Sequence, residues 1–262
     1  MSNAALQVAR TGRDAQNTKM RVIANNLANV NTTGFKRDRA DFETLAYQQI
    51  VAAAANSDSE NKFATGLNLG SGVALQGTSK INTQGTLEQT GNALDMAIEG
   101  AGYFQVQRPD GSTAYTRAGN FSVTAEGTVV TSDGLPLIPA ITVPQGATSV
   151  TVGNDGTVSA TLQGQAEPTQ LGQIELASFM NSAGLQSIGG NLLTETAASG
   201  TPQVGAAGLD GRGNIRSGNL ETSNVNVVEE LVDMIETQRA YEVNSKMIKA
   251  TDEMLQFVNQ NI

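Results

Sequence analysis

The chain has 262 residues, a net charge of −9, 4% aromatic residues, and neither Trp, Cys nor His. This length suits one large domain or two smaller ones with an ample buried core, and the scarcity of aromatics leaves that core to small and aliphatic side chains. No Cys means no disulfides or thiolate metal sites, and no His removes the commonest metal ligand and general base; the acidic balance argues against nucleic acid as main ligand.

In chain order, Leu6, Ala9, Arg13, Gln16, Met20, Ile23, Leu27 and Val30 alternate steps of three and four, the seam spacing of a coiled-coil helix, weakened at Arg13 and Gln16. Asn31, Thr32, Thr33 and Gly34 stop that helix, because polar side chains compete for backbone hydrogen bonds and Gly accepts a positive φ; Phe35 follows as an anchor. The short basic cluster Lys36, Arg37 and Arg39 encloses Asp38 and reads as a solvated or subunit-contacting loop. The stretch 39–55 could be helical, but polar residues over 56–62 and glycines at 66, 70, 72 and 77 favour an extended arm or hairpin over 40–80. The start of the chain lacks the continuous apolar core of a secretory signal, so no cleavable signal peptide is expected. No run approaches the roughly eighteen apolar residues that span a bilayer, so no membrane insertion is expected.

From about Ile81 to Leu209 the pattern changes to short strands. Asp110-Gly111, Glu126-Gly127, Asp133-Gly134 and Asp155-Gly156 punctuate runs such as Tyr103–Val106, Phe121–Val123, Ser149–Val152 and Ile174–Phe179. Pro136, Pro139 and Pro144 confine the strands between them to edges or loops. The stretch 191–208 has few large apolar residues and reads as a surface loop, and 209–222 returns the chain to a last helix.

That helix starts after Asn226, with Glu229 at the capping-box offset and Glu230 and Asp233 suiting its positive end. One apolar stripe holds Val227, Leu231, Met234, Tyr241, Ile248, Leu255 and Ile262; a second holds Ala240, Val243, Met247, Ala250, Met254 and Phe257. Before residue 31, Arg10, Arg13, Lys19 and Arg21 face only Asp14, a net of +3, whereas 223–262 carries seven acids against Arg239, Lys246 and Lys249, a net of −4. The two termini should attract, as rods of roughly 40 and 55 Å, and two isolated helices leave so much apolar surface that packing against further copies is expected. The fold class expected is α+β, mostly β: N- and C-terminal helices paired as a coiled-coil layer, an extended arm and a central all-β domain. The expected division is 1–35 with 222–262 as a terminal helical assembly domain, 36–80 with 209–221 as an arm or connecting domain, and 81–208 as an outer all-β domain.

Chemistry is sparse. Asp95 with Glu99, or Glu126 with Asp133, are the nearest candidates for a carboxylate pair of the glycosidase kind, but Glu126 and Asp133 sit at predicted turns and need no catalytic role. Gly100-Ala101-Gly102 lacks the third Gly of a dinucleotide fingerprint and precedes a strand, so it is a turn. Asn154-Asp155-Gly156 offers too few oxygen donors for a calcium loop. No catalytic residue, cofactor or metal is expected. The seam residues expected to carry assembly are Leu6, Ala9, Met20, Ile23, Leu27 and Val30 at one end, and Val227, Leu231, Met234, Tyr241, Met247, Ile248, Met254 and Leu255 at the other.

Two terminal blocks then become recognisable. Residues 24–37, with Asn25, Asn26, Asn29, Gly34 and Phe35, resemble the N-terminal signature of bacterial flagellar rod and hook proteins, and 223–242, with Asn224, Asn226, Gln238, Arg239 and Tyr241, resemble the C-terminal signature of that family. Residues 95–106 and 115–121 agree with it, and 43–69 resembles a stretch of its distal-rod members that hook members generally lack. The resemblance implies a helical homopolymer with no enzymatic activity: a stiff tubular drive shaft that carries motor torque across the periplasm to the hook. It implies proximal rod proteins, hook protein and the L-ring and P-ring proteins as neighbours, and export through the flagellar type III apparatus. The alternatives are another axial subunit (proximal rod or hook), a secreted binding module, or a carboxylate-based peptidoglycan hydrolase.

Overall fold

A computed structural model describes residues 2–51, 65–163 and 167–260. They form two compact units, one from 38–79 and the residues before 28 and after 226, the other from 28–37 and 80–226.

The first unit holds helix α1 (Ser2–Ala28), strands β1 (Asp38–Thr44), β2 (Tyr47–Val51), β3 (Leu67–Gly70) and β4 (Val73–Lys80), and helix α2 (Val227–Gln260). Ala9, Ala15, Ile23 and Asn26 are buried on α1, and Glu230 and Thr237 on α2. Asn26 meets Glu230, Lys19 meets Asp233 at 3.8 Å, and a Cβ on Gly12 would come within 3.2 Å of the Asn244 side chain. The positions on α1 fall as those on α2 rise, so these contacts are ordered antiparallel. β1 pairs with β4 and β2 with β3; in the antiparallel β2–β3 ribbon Tyr47 stands opposite Gly70 and Val51 opposite Leu67. The described part of 39–55 is therefore strand, not the helix its sequence also allowed. Phe42, Thr44, Tyr47, Ile50 and Val51 are β-branched or aromatic and lie easily on a pleated surface. Residues 52–64, in the middle of the stretch read as an arm, lie outside the described residues.

In the second unit the strands are β5 (Leu87–Gln89), β6 (Met96–Glu99), β7 (Tyr103–Gln107), β8 (Thr113–Thr116), β9 (Phe121–Val123), β10 (Val129–Thr131), β11 (Ala147–Val152), β12 (Thr157–Leu162), β13 (Thr169–Gln173), β14 (Glu175–Ser178), β15 (Gln186–Gly189), β16 (Leu192–Thr194), β17 (Gln203–Ala206), β18 (Asn214–Ser217) and β19 (Asn219–Glu221). A six-stranded sheet runs β15-β16-β8-β7-β14-β17, a three-stranded one β11-β12-β13, and β9–β10, β6–β18 and β5–β19 pair separately. The core between them contains Met96, Ile98, Phe104, Val106, Phe121, Leu137, Ile141, Val158, Ile174, Leu176 and Ile215, with Phe104 edge-on to Phe121 at 5.2 Å. The four Asp-Gly or Glu-Gly signals are turns whose glycines all have positive φ.

One expectation about this unit fails. The stretch 191–208 is not a surface loop: β16 and β17 pair within the large sheet, Leu193 opposite Tyr115 and Val204 opposite Ala177. Successive side chains of a strand point to opposite faces, so Leu192 packs on the main core while Leu193 packs on a smaller cluster with Tyr103, Tyr115, Ala177 and Leu185. Two adjacent leucines are enough to anchor a strand when its neighbours supply the backbone partners.

Candidate assembly surfaces

Past α1, the chain enters the second unit through a tight turn at Gly34, whose φ is +68°. Its N–H donates to the Glu221 carbonyl at 2.7 Å, and a Cβ there would lie 2.5 Å from the Arg117 carbonyl carbon. Glycine is required on both counts. Phe35 is buried, with the Lys80 ammonium 5.7 Å from its ring centroid. Asn224 stitches the other end of the chain to this place. Its Oδ1 accepts the Arg37 N–H at 2.8 Å, its Nδ2 donates to the Ile81 and Thr83 carbonyls, and its N–H donates to the Phe35 carbonyl at 3.4 Å.

Beneath this turn lies a buried charge cluster. Glu221 is 0% exposed and Lys36 5%, with Lys36 Nζ donating to Glu221 Oε1 at 2.6 Å and to the Thr83 carbonyl at 2.8 Å. Oε1 also accepts the Gly85 N–H at 2.9 Å, while Oε2 lies 3.5 Å from Arg117 Nε. Arg117 Nη2 donates to the Gly100 carbonyl at 2.7 Å, and the guanidinium sits over the Tyr103 ring. Burial pushes the Lys36 ammonium below its ordinary pKa, against the pull of the Glu221 carboxylate. Lys36 is therefore not part of a solvated or subunit-contacting loop, because a fully buried carboxylate holds it inside.

On the helices, the expected seam residues fall into three groups. Ala9 and Ile23 are buried; Leu6, Met20, Leu27, Val30, Met234, Ile248 and Leu255 are half-buried; Val227, Leu231, Tyr241, Met247 and Met254 are exposed. Of the signature residues, Asn26 is buried and reads Asp38 both ways, Nδ2 donating to its carbonyl and Oδ1 accepting its N–H, each at 2.9 Å. The same Nδ2 donates to the Glu230 carboxylate at 3.3 Å. Asn25, Asn226, Gln238 and Arg239 are exposed and Asn29 half-buried. The buried residues of α2 are polar, Glu230 and Thr237, whereas Val228, Leu231, Val232, Ile235, Val243, Met247, Met254 and Phe257 face outward. Sequence reasoning missed the inward polar row; the signal was the seven-residue repeat Glu230, Thr237, Asn244, Thr251.

Three of the four carboxylates considered for catalysis, Asp95, Glu99 and Glu126, have structural partners. Glu99 forms a bidentate pair with Arg216 at 2.6 and 3.1 Å, and Asp95 accepts bonds from Thr90 and Asn92. Hydrogen bonds at its own turn, to backbone and to Thr124, hold the exposed Glu126 carboxyl below its ordinary pKa. Among the described residues no group of three or more His, Cys, Asp and Glu is placed to hold a metal, and no helix is long and apolar enough to cross a membrane.

Comparison with known proteins assigns these features to a family. Residues 6–36 match the family "Flagella basal body rod protein", 97–160 match "Flagellar hook protein FlgE/F/G D1 domain", and 216–261 match "Flagellar basal body rod FlgEFG protein C-terminal". Proteins named flagellar basal-body rod protein FlgG are similar over nearly their whole length: those of Buchnera aphidicola subsp. Acyrthosiphon pisum and subsp. Schizaphis graminum are each 51% identical, and that of Caulobacter vibrioides 47%, with 98% of each chain covered. The chain belongs to the flagellar basal-body rod protein family. In this rod-family chain the N-terminal match takes in α1 from Leu6 onward and the Gly34 turn, and the C-terminal match takes in the end of β18, all of β19 with Glu221, and α2. Both members of the Lys36–Glu221 pair thus lie in matched blocks 185 residues apart.

Proposed function

We propose that the chain is the distal rod subunit of the flagellar basal body, polymerising into a stiff tubular shaft that carries motor torque across the periplasm to the hook, without enzymatic activity. The observation that carries this reading is the row of large apolar side chains left exposed along α2, on a chain similar from end to end to rod proteins. Contiguous exposed apolar surface of this kind marks an association site. Torque divides among many interfaces only if each subunit touches several neighbours, and a helix with one face turned to α1 and another to solvent can do so. The antiparallel contacts of positions 26, 19 and 12 on α1 with 230, 233 and 244 on α2, respectively, support a reading in which the two helices pair as a coiled-coil layer lining the tube. The expected seam residues, from Leu6 to Val30 and from Val227 to Leu255, are our candidates for the lateral contacts.

We further propose that in the polymer the chain divides as 1–35 with 222–262, 36–80 with 209–221, and 81–208, with the middle part bridging neighbours. Proximal rod proteins, hook protein and the L-ring and P-ring proteins would be its neighbours, and the flagellar type III apparatus its export route. Electron microscopy of basal bodies from a host lacking the gene tests the assignment. A rod truncated inside the periplasm, with its proximal part intact and no hook, is expected. A complete rod without a hook would move the protein one segment outward, and normal basal bodies would overturn the subunit reading.

A further inference from the structure

We propose that Asp133 is a site of spontaneous covalent modification, its carboxyl closing on the Gly134 nitrogen so that the main chain isomerises there to isoaspartate. The sequence has Asp-Gly at 110, 133, 155 and 210, and the structure separates them. Three sit in turns of one build. In each the glycine N–H donates to the carbonyl three residues before it, from Gly111 to Arg108 and from Gly134 to Thr131 at 2.9 Å, and from Gly156 to Gly153 at 3.0 Å. The φ values of these glycines are +82°, +80° and +86°. Backbone geometry therefore does not distinguish the three turns; their carboxylates do.

Asp110 Oδ1 accepts the Ser112 N–H at 2.9 Å and the Ser112 hydroxyl at 2.6 Å. Asp155 does the same with Thr157, its Oδ1 taking the N–H at 3.0 Å and its Oδ2 the hydroxyl at 2.7 Å. Those bonds, the hydroxyl's above all, hold both carboxyls below the usual carboxylate range. Asp133 has no such partner. Two residues on stands Leu135, which has no hydroxyl and whose N–H donates to Thr131 Oγ1 at 3.2 Å. Among the described residues the Asp133 carboxylate makes no hydrogen bond or ion pair, and Ser132, Asp133 and Gly134 are all exposed. Asp210 lies in a different turn, where its Oδ2 accepts a bond from Arg212 Nη2 at 2.7 Å.

The chemistry favours the free carboxyl. The Gly134 nitrogen bonds to Asp133 Cγ, and the hydroxyl of the protonated carboxyl leaves as water with the amide proton, closing a five-membered imide. Water then adds at either imide carbonyl: at Cγ it restores aspartate, and at the main-chain carbonyl it leaves the chain running through Cγ as isoaspartate. Water is the only co-reactant, and nothing is oxidised or reduced. The closing step needs a carboxyl that turns freely toward the nitrogen and is protonated in passing, and a bond that holds the ionised form opposes both. Gly134 carries no side chain into the approach, and its surroundings are open, since a Cβ there would meet nothing within 4 Å. The matching turn at Gly127 has Glu126 in the aspartate's place, where closure would require a six-membered ring. The product turn is one main-chain atom longer, which spoils the fit of the bonds between Thr131 and Leu135 beside the buried Leu137.

The test keeps the full-length protein at neutral pH for several weeks, digests it and maps the peptides by electron-transfer fragmentation, which tells isoaspartate from aspartate. A hydrogen bond of ordinary strength biases a local equilibrium by about twofold to tenfold. Isoaspartate is therefore expected to accumulate at 133 about threefold or more faster than at 110, 155 or 210. An equal or slower rate at 133 overturns the proposal. The same incubation in denaturant, where no carboxylate is held, should bring the four rates together. Persistence of the folded-state order there would mean that sequence neighbours set it, and would overturn the structural cause. Ser112→Ala removes the 2.6 Å bond to Asp110 in an exposed turn, and should raise the rate at 110 about twofold or more with 133 unchanged. No rise at 110 would overturn the part assigned to the carboxylate's bonds.

Discussion

Replacing Glu221 by Ala should be the most damaging single change to the β-rich unit. It removes the acceptor of the 2.6 Å bond from Lys36 and of the 2.9 Å bond from Gly85, and it leaves Lys36 and Arg117, each over nine-tenths buried, without a counter-charge. Removing one partner of a buried ion pair costs about 3–5 kcal/mol. For a unit of this size each kcal/mol moves the melting temperature by about 2–4 °C, so a drop of about 6–20 °C is expected. Differential scanning calorimetry at pH 7 and pH 10 is the assay. Because the folded-state pKa of Lys36 lies below its unfolded value of 10.5, the folded state binds fewer protons between the two. Stability therefore gains with rising pH in that window. Removing Glu221 takes away the group that holds the Lys36 proton on, which widens the window downward, so the deficit of Glu221→Ala should shrink as pH rises towards 10. Arg117 stays charged throughout and keeps part of the loss. Lys36→Met combined with Glu221→Leu should recover much of the difference. A Glu221→Ala protein melting within about 2 °C of wild type, or one whose deficit grows with pH, would refute the cluster's assigned role.

Burial and the neighbouring Glu195 carboxylate push the Tyr115 phenol up to about 12; its stabilising contribution is whole below pH 10 and is lost as pH climbs towards 12. Tyr115→Phe should flatten the alkaline fall in melting temperature and remove a late-ionising phenol from the ultraviolet titration, and an unchanged titration would contradict the assignment. Gly34→Ala forces a side chain into the Arg117 backbone at positive φ, and should cost about 2 kcal/mol or more in chemical denaturation; a neutral result would mean that the turn readily relaxes. Leu231 is 43% exposed, so Leu231→Asp should leave the monomer's melting within about 2 °C yet abolish polymer in sedimentation, and intact rods from this variant would count against the α2 surface. Amide exchange in the monomer should be faster in α1 and α2 than in β7 or β14, because helices whose apolar face is uncovered gain little from tertiary packing.

The helix limits were legible because polar stop residues and a capping run are local signals: the expected stop at 31–34 follows closely on Ala28, and α2 starts at Val227, next to Asn226. The strands at 103–107, 121–123 and 147–152 were legible because turn dipeptides frame them. Lys36 was not, since its partner stands 185 residues away and a basic cluster looks the same whether buried or solvated. β16 was hidden by brevity, its two leucines being too few for a periodicity. On α2 the pattern announced an apolar face, but periodicity does not say whether α1 or another copy covers it. The inward row of Glu230 and Thr237 answers for the monomer only.

The chain crosses into or out of the β-rich unit four times, and its first and last leads are tied together at one spot, by Gly34 to the Glu221 carbonyl, by Asn224 to the Phe35 carbonyl and by Arg37 to the Asn224 side chain. Tension applied through those leads is short-circuited there: it crosses a few parallel bonds and never reaches β7 or β14. The six-stranded sheet is thereby spared from unzipping, however hard the chain ends are pulled apart, until the clasp gives way. The same clasp makes the β-rich unit a cassette, since anything inserted between residues 80 and 219 whose ends can be brought together at that point leaves the path of the load unchanged.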